Sequence, residues 1–442
     1  MGCSKALIAC VACLVTTAHA NTEKPTRPKP GDELAVADLA WPATTKSAEA
    51  TATIDVVRKP GRGGAFGKLA RGTRIAWKRI VAAGDGCKAY LEIEPRGFVC
   101  AKQLAPSDLP PAASDRADPS AIVDRVLAKL QFAVSPKGAR AYPTASAIKR
   151  GGGTELTGWK FLHGSIDAVV AVGGELFVKT IAGYVAAQDL MARPASTFAG
   201  VPITPRTPWP FGWVVPKPGD ETVTVRSAPS KTAPAVKTLG YRVQLPVFET
   251  DKGFVRVGPS EWIASDELSV AASSKRPDGV RADERWLDVD LDENVLVVYA
   301  GDQPEFATLV STGFGSTPVS LHRITKKHAL MTLVNPAVAT GTWNLPDVPF
   351  MMEFRKYYGL HAAYWHDSFG KKRGHGCVNL SPLDAKYLYE LTLPAVPPGW
   401  AEASATGNEG TPIRIRNRAN PNPPWTEFDA PPPVPIKDDV AE

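Results

Sequence analysis

Proline-rich breaks constrain what this chain can fold into more than any other feature. Proline accounts for 41 of its 442 residues, about twice ordinary usage, and proline interrupts both helices and central strands. Breaks at 105–119, 194–219 and 271–283 predict four folded units. Residues 21–49, which lack an apolar period, are a predicted linker, and 419–442 are a predicted Pro-rich disordered tail. Long helical assemblies, collagen and coiled coils are excluded.

The first 20 residues have the layout of a secretory signal peptide. Lys5 precedes an apolar stretch at 6–15 that is too short to span a bilayer, and small residues lead up to Ala20. We expect cleavage after Ala20 and export to the periplasm or cell envelope. Residues 7–10 also resemble a lipoprotein processing box, so lipidation at Cys10, which would attach the protein to a membrane, is an alternative.

Three cysteines remain once this signal is removed. In an oxidising compartment the simplest pairing is a disulfide between the neighbours Cys87 and Cys100, which leaves Cys377 as a free thiol. A buried, inert cysteine is the alternative interpretation of Cys377.

The formal net charge of +6 is small for a chain of this length. It is consistent with mild attraction to anionic wall polymers. The sequence has no basic run and no basic–aromatic stripe, so no nucleic acid partner is predicted.

The first three predicted units end in the same way. Each closing segment, at 98–104, 184–190 and 262–268, has an aromatic residue, a β-branched residue, four mostly small or polar residues and a leucine. Successive copies are about 80 residues apart, which indicates a repeated small domain. Segments at 57–60 and 225–229 also share a short strand that runs into a proline turn.

These repeats resemble the bacterial SH3-like domains attached to exported wall enzymes. The resemblance implies small β-barrels at 50–106, 120–193 and 220–270, of which the second is degenerate. Such units could anchor the chain to the cell wall. Three unrelated β-units are the alternative.

The fourth unit begins with a clear β pattern. Leu287, Val289 and Leu291 alternate with aspartates, and a turn leads into an apolar run at 295–299, which predicts a β-hairpin with one solvent-facing side. A third strand is predicted at 306–312. The only helical pattern in this unit follows at 381–391, where Ser381-Pro382 start an amphipathic helix.

Four chemically capable side chains lie just before that helix: His361, His366, His375 and Cys377. A free thiol is only a few per cent ionised at pH 7, so a nucleophilic cysteine needs a base beside it, and histidine can supply one. Glycines on both sides of His375 permit a tight turn whose backbone N–H groups can bind an oxyanion.

The same segments resemble a known family. Residues 286–291, Ser311-Thr312-Gly313 with Thr317-Pro318, the segment 361–370, and Gly-His-Gly-Cys-Val-Asn-Leu at 374–380 look like the catalytic domain of L,D-transpeptidases over 284–418. The predicted fold class is therefore mainly β: three SH3-like units followed by an L,D-transpeptidase-type catalytic domain with one short helix after the nucleophile.

The resemblance implies acyl transfer on peptidoglycan stem peptides, with no metal and no other cofactor. Cys377 would be the nucleophile that forms a thioester, and an amine or water would resolve it. His361 would be the general base and His375 a further catalytic residue. Asn379 would support the turn, and the backbone N–H groups of Gly376 and Cys377 would bind the oxyanion.

Two positions depart from the family pattern. Gly374, a supporting residue of the turn, stands where the family usually has Ser or Thr, and Thr317-Pro318 is not followed by the usual glycine. The departures leave room for altered specificity or for a degenerate enzyme.

Two other functions are weighed beside acyl transfer. A zinc hydrolase would use the three histidines and Cys377 as metal ligands, and a non-catalytic wall-binding protein would carry the fourth unit as a relic. His366 is interpreted as a structural histidine. His322 and His328, which lie in a basic stretch, are interpreted as surface residues.

Overall fold

The computed structural model describes residues 28–84, 86–129, 131–134, 138–156, 162–180, 182–334, 344–406 and 408–426. The predicted signal peptide, with Cys10, and residues 427–442 of the predicted tail lie outside the described residues. Strands dominate the described ranges and helices are few, which confirms the mainly β fold class. None of the described helices is long and apolar enough to cross a membrane.

Nine short strands build the first predicted unit. They are β1 (Glu33–Leu34), β2 (Ser47–Ala50), β3 (Ile54–Lys59), β4 (Arg62–Leu69), β5 (Arg74–Ile75), β6 (Trp77–Ala82), β7 (Ala89–Ile93), β8 (Phe98–Cys100) and β9 (Leu104–Ser107). One sheet has the order β1-β6-β7-β8-β3-β4, and β5-β2-β9 form a second. Strand β1 pairs with β6, and the side chains of Leu34 and Trp41 pack on the core of this unit. The prediction of a linker at 21–49 is therefore wrong from residue 28 onward.

A disulfide joins two adjacent strands of this unit. Cys87 precedes β7 and Cys100 ends β8, with their Cα atoms 6.0 Å apart. Within the described part of the chain, Cys377 is the free cysteine.

The second predicted unit is a seven-stranded sheet with two helices. Its elements are α1 (Pro119–Lys129), β10 (Gln131–Val134), β11 (Arg140–Tyr142), α2 (Ala145–Arg150), β12 (Thr154–Glu155), β13 (Leu162–Val172), β14 (Glu175–Thr180), β15 (Gly183–Ala186) and β16 (Leu190–Arg193). The strand order is β12-β11-β15-β14-β13-β10-β16.

Two further strands, β17 (Val201–Pro202) and β18 (Phe211–Val214), lie in the stretch 194–219 that the prolines mark as a break. The third predicted unit follows. It contains β19 (Thr222–Arg226), β20 (Ala235–Gly240), β21 (Gln244–Pro246), β22 (Glu249–Asp251), β23 (Phe254–Gly258), β24 (Glu261–Ala264) and β25 (Leu268–Ala271). Strand β18 pairs with β21 and β25, so the break contributes a central strand to this unit.

The three repeated closing segments have the same structure. In each, a strand leads into one turn of 3-10 helix, at Ala101–Gln103, Ala187–Asp189 and Ser265–Glu267. A second strand begins at the leucine that ends each segment. This geometry accounts for the sequence repeat, and the assignment of the units to SH3-like barrels stays a prediction.

The fourth unit has two sheets and one helix. Its elements are β26 (Arg285–Asp290), β27 (Val295–Ala300), β28 (Gln303–Leu309), β29 (Ser320–Arg323), β30 (Lys326–Val334), β31 (Asn344–Arg355), β32 (Tyr358–Ala362), β33 (Val378–Leu380), α3 (Pro382–Leu391), β34 (Trp400–Ser404) and β35 (Pro412–Arg416). The sheets have the orders β17-β28-β27-β26-β35-β29 and β34-β30-β31-β32-β33. The predicted hairpin, third strand and helix are confirmed.

The side of the hairpin that was expected to face solvent is buried at Asp288, whereas Asp292 is exposed. Asp288 is 2% exposed because β35 pairs in parallel with β26 and covers it. Arg414 and Arg416 of β35 donate to the two Asp288 carboxylate oxygens at 2.7 and 3.0 Å, so the buried charge is paired.

Contacts between the units are extensive. Strand β4 pairs with β34, so one sheet runs from the first unit into the fourth. Helix α1 packs on α3, with Ile122 and Val126 in the same core cluster as Leu388. Trp425 donates from Nε1 to the Asp278 carbonyl at 3.0 Å, so the disorder predicted from residue 419 does not apply to this part of the tail.

Candidate active site

The Cys377 turn lies at the end of a parallel strand pair. His361 of β32 stands opposite Asn379 of β33, and Leu360 stands opposite Val378. Opposite residues of a pair point to the same side of the sheet, and so do residues two apart on one strand. The register therefore places Cys377 and Asn379 on the same side of the sheet as His361.

The Cys377 thiol is neutral in the resting structure. Burial of the sulfur raises its pKa to about 11, although the backbone N–H of Gly359 acts in the opposite direction. The S–H group donates to the Tyr357 carbonyl at 3.8 Å. Attack by this sulfur therefore requires a base that accepts the thiol proton as the new bond forms.

His361 has the properties of that base. It is 2% exposed, and burial lowers its pKa to about 4, so the ring is neutral at pH 7. Its Nδ1 lies 3.2 Å from the Ala362 carbonyl oxygen. Because a carbonyl oxygen only accepts, Nδ1 carries the ring proton and Nε2 is the basic nitrogen.

The Cys377 turn offers two free backbone donors. Among the described residues, the N–H groups of Gly376 and Cys377 have no hydrogen-bond acceptor within the protein. Adjacent N–H groups without partners in a tight turn suit an oxyanion.

Glycine at position 376 is required by a close approach. A Cβ atom there would lie 2.5 Å from the Tyr358 ring and 3.0 Å from the Ser316 carbonyl oxygen, and the residue has φ +129. Any side chain at this position would push the turn away from the sheet.

Asn379 links the turn to two other segments. Its backbone N–H and C=O both bond to Ser311, at 2.8 and 2.9 Å. The Gly313 N–H donates to Thr317 Oγ1 at 2.9 Å. The separate segments that carry the family resemblance thus meet at the Cys377 turn.

His366 lies beneath the same turn. Its Nε2 is 3.1 Å from Asn379 Nδ2, and its Nδ1 accepts the Ser368 N–H at 3.2 Å. Burial, more than the nearby Arg373, lowers its pKa to about 3. With both ring nitrogens bonded, His366 fits the structural role expected of it.

His375 is exposed. The structure therefore brings Cys377, His361 and Asn379 together on the sheet and leaves His375 at the solvent-facing rim.

The expectation that His322 and His328 are surface residues is wrong. His322 is 2% exposed. It lies on β29, the edge strand that pairs with β35, and its ring packs against Phe354 with centroids 5.5 Å apart. His328 lies between Glu353 and Glu402, with nitrogen–oxygen distances of 2.7 and 3.4 Å. The basic residues around both histidines in the sequence are typical of a surface segment, which is why the burial of these side chains was not predicted.

In the ranges that the structure describes, no three His, Cys, Asp or Glu side chains are grouped so that they could hold a metal ion. The four side chains considered as zinc ligands therefore do not converge on one point.

Sequence reasoning missed two residues near the site. Arg242, from the turn between β20 and β21, donates to the carbonyl and carboxylate oxygens of Asp367 at 2.8 and 2.6 Å. The neighbouring Tyr241 donates its hydroxyl to the Phe369 carbonyl. No local pattern connects residues so far apart in the chain, so the sequence held no signal for them.

Comparisons with known proteins agree with the resemblance. Residues 284–415 match the family model of the YkuD L,D-transpeptidase catalytic domain, whereas no curated protein matches the chain significantly. Among solved structures, the catalytic domain of the Enterococcus faecium (E. faecium) L,D-transpeptidase is 20% identical with a TM-score of 0.25, covering 30% of this chain and 98% of that one. An L,D-transpeptidase from Mycobacterium smegmatis is also 20% identical, with a TM-score of 0.25 and coverages of 39% and 82%.

A third similar structure is an L,D-transpeptidase from Stackebrandtia nassauensis, which is 23% identical with a TM-score of 0.23 and covers 35% of this chain and 61% of that one. Residues 284–415 of this chain are similar to the catalytic domain of the YkuD L,D-transpeptidase family.

Proposed function

We propose that this protein is an exported cysteine acyltransferase that acts on peptidoglycan stem peptides. The observation that supports this most is the register of β32 and β33, which puts the neutral imidazole of His361 on the same side of the sheet as the Cys377 thiol. The free N–H groups of Gly376 and Cys377 add a site for the oxyanion.

The proposed first step forms a thioester. The Cys377 sulfur attacks the carbonyl between an L-centre and a D-residue of the stem while its proton moves to Nε2 of His361. The oxyanion is held by the Gly376 and Cys377 N–H groups. As it collapses, the C–N bond breaks, the imidazolium gives its proton to the departing amine, and the acyl group stays on sulfur.

The second step releases the acyl group. An amine of a second stem, or water, gives a proton to His361 and attacks the thioester carbonyl. The C–S bond then breaks, the proton returns to the sulfur, and the neutral thiol is restored. Export, and anchoring to the wall through the first three units, are part of the same proposal.

Intact-mass spectrometry after incubation with a tetrapeptide stem tests this function. The native protein should gain the mass of the stem without its terminal D-residue, and the label should map to Cys377. Cys377→Ala should fold with an unchanged melting temperature and gain no mass, because the small side chain matters for chemistry rather than for the core.

A folded native protein that never gains this mass would contradict the proposal and favour the wall-binding alternative. An adduct of equal yield on Cys377→Ala would rule out Cys377 as the nucleophile.

A further inference from the structure

A turn of the third unit reaches the loop that follows β32. Tyr241 and Arg242 lie between β20 and β21, and the Arg242 N–H donates to the Val214 carbonyl of β18 at 2.7 Å. In turn, Trp213 of β18 packs in the same core cluster as Phe369, which belongs to residues 365–370, here called the 365–370 loop. The turn is therefore fixed to the catalytic domain.

The contacts of this turn go to the backbone of the 365–370 loop. Arg242 donates to the Asp367 carbonyl and carboxylate at 2.8 and 2.6 Å, and Tyr241 donates to the Phe369 carbonyl. The guanidinium also lies 4.6 Å above the centre of the Phe198 ring. The Arg242 side chain is only 15% exposed, so loss of its partners would leave a largely buried charge unpaired.

The 365–370 loop in turn holds the nucleophile turn. Ser368 donates its N–H to His366 at 3.2 Å and accepts the Ser311 hydroxyl at 3.0 Å. His366 contacts the side-chain amide of Asn379 at 3.1 Å, and Asn379 lies two residues after Cys377. Hydrogen bonds, together with the backbone of the 365–370 loop, therefore connect the third unit with the turn that carries the sulfur.

We infer that Arg242 and Tyr241 are positioning residues for Cys377, acting through the 365–370 loop, His366 and Asn379. The inference rests on the proposed function. It makes the third unit part of the catalytic apparatus, because a loop that moves by a fraction of an ångström would misplace the sulfur and the oxyanion donors relative to the substrate carbonyl.

Pre-steady-state acylation by a tetrapeptide stem tests this role. Arg242→Ala should lower the acylation rate constant about tenfold or more, with an unchanged amplitude, and Arg242→Lys should recover part of the rate. Arg256→Ala is a matched control, because Arg256 makes the same kind of contacts in this unit, to Glu249 at 2.6 Å and over the Phe248 ring at 5.0 Å. It should acylate like the native protein.

A rate constant equal to that of the native protein would overturn the inference. So would a loss of amplitude at a constant rate, because amplitude counts folded molecules. If Arg242→Ala fails to fold, Tyr241→Phe, which removes only one hydroxyl, should still slow acylation, and an unchanged rate would overturn the inference.

Alkylation of Cys377 by iodoacetamide separates this inference from the proposed function. A native protein that is alkylated but never acylated defeats the proposed function alone. The rate constant of alkylation should still differ between the native protein and Arg242→Ala, and equal values would overturn the positioning role.

Discussion

At the scale of single residues, the candidate site rests in a neutral state. The thiol pKa is raised to about 11 and that of His361 is lowered to about 4, in both cases mainly by burial. A preformed thiolate–imidazolium pair would need the opposite order of the two pKa values. In the proposed mechanism, proton transfer therefore accompanies attack, and the oxyanion donors favour the charge that develops on the substrate.

Gly374, where the chain departs from the family pattern, allows a prediction at this scale. The residue has φ +88, and a Cβ atom would lie 3.4 Å from Asn379 Nδ2. Gly374→Ser should lower the free energy of unfolding by about 1 kcal/mol through the left-handed backbone. It should change the acylation rate by no more than about tenfold, the size of one modest hydrogen bond. Quenched acylation assays measure the change in acylation rate, and denaturant unfolding measures the change in the free energy of unfolding.

Gly374→Ala is the control for this prediction, since it introduces the same backbone strain without the hydroxyl. A Ser variant that acylates when the native protein does not would show that the missing hydroxyl, rather than the strain, decides activity.

Sequence reasoning located the residues of the nucleophile turn because they lie within one short segment with an unusual pattern. It could not locate Arg242 or place His375 at the rim. Those facts depend on how distant segments pack. Arg242 does not differ in its local pattern from an ordinary surface residue, and the motif at 374–380 does not indicate how exposed His375 is.

At the scale of secondary structure elements, local sequence patterns correctly predicted the features that depend only on neighbouring residues. Helix α3 begins after Ser381, whose hydroxyl accepts the Asp384 N–H at 3.1 Å. This N-cap and the proline that follows it, Pro382, can be predicted from the sequence. The alternation in β26 predicted a strand correctly but its environment wrongly. Strand β35, which buries Asp288, comes more than a hundred residues later.

The burial of β29 predicts how stability depends on pH. Desolvation lowers the pKa of His322 from 6.5 to about 4. The stability that its neutral ring contributes is fully present above pH 6.5 and is lost progressively as the pH falls from 6.5 to 4, so that about 2 kcal/mol is lost at pH 5 by linkage. His322→Phe should therefore reduce the difference in urea midpoint between pH 7 and pH 5.

The native protein, measured at the same two pH values, is the control. Asp384 works in the opposite sense, since burial raises its pKa to about 6 and its stabilising contribution is lost at higher pH. The informative quantity is therefore how much this difference in urea midpoint changes between the native protein and His322→Phe. An undiminished difference in His322→Phe would mean that the folded ring accepts a proton.

At the scale of the whole molecule, the units are more closely joined than a chain of tethered modules. The sheet that carries Cys377 extends through β34 into β4 of the first unit, with Trp400 opposite Leu69 and Ala403 opposite Gly67. Trp400 packs with Phe66 in the core of that unit, ring centroids 5.6 Å apart. The proline-rich breaks indicate where one unit ends and the next begins. They do not indicate that a sheet continues from one unit into another, because pairing between strands that are distant in the chain leaves no local sequence pattern.

The last prediction concerns this junction. A Cβ atom at Gly67 would overlap the Trp400 ring and lie 2.8 Å from the Glu402 carbonyl oxygen, whereas one at Gly64 on the same strand would meet nothing. Gly67→Ala should lower the free energy of unfolding by about 1 to 3 kcal/mol, as overpacking does, and Gly64→Ala should not. Because the sheet is shared, the rate constant for alkylation of Cys377 should change in the same, lowered thermal transition that tryptophan fluorescence reports. If the change in the Cys377 alkylation rate constant kept its native transition temperature while the fluorescence transition moved, the first unit would be an independent module whose only connection to the catalytic domain is the chain between them.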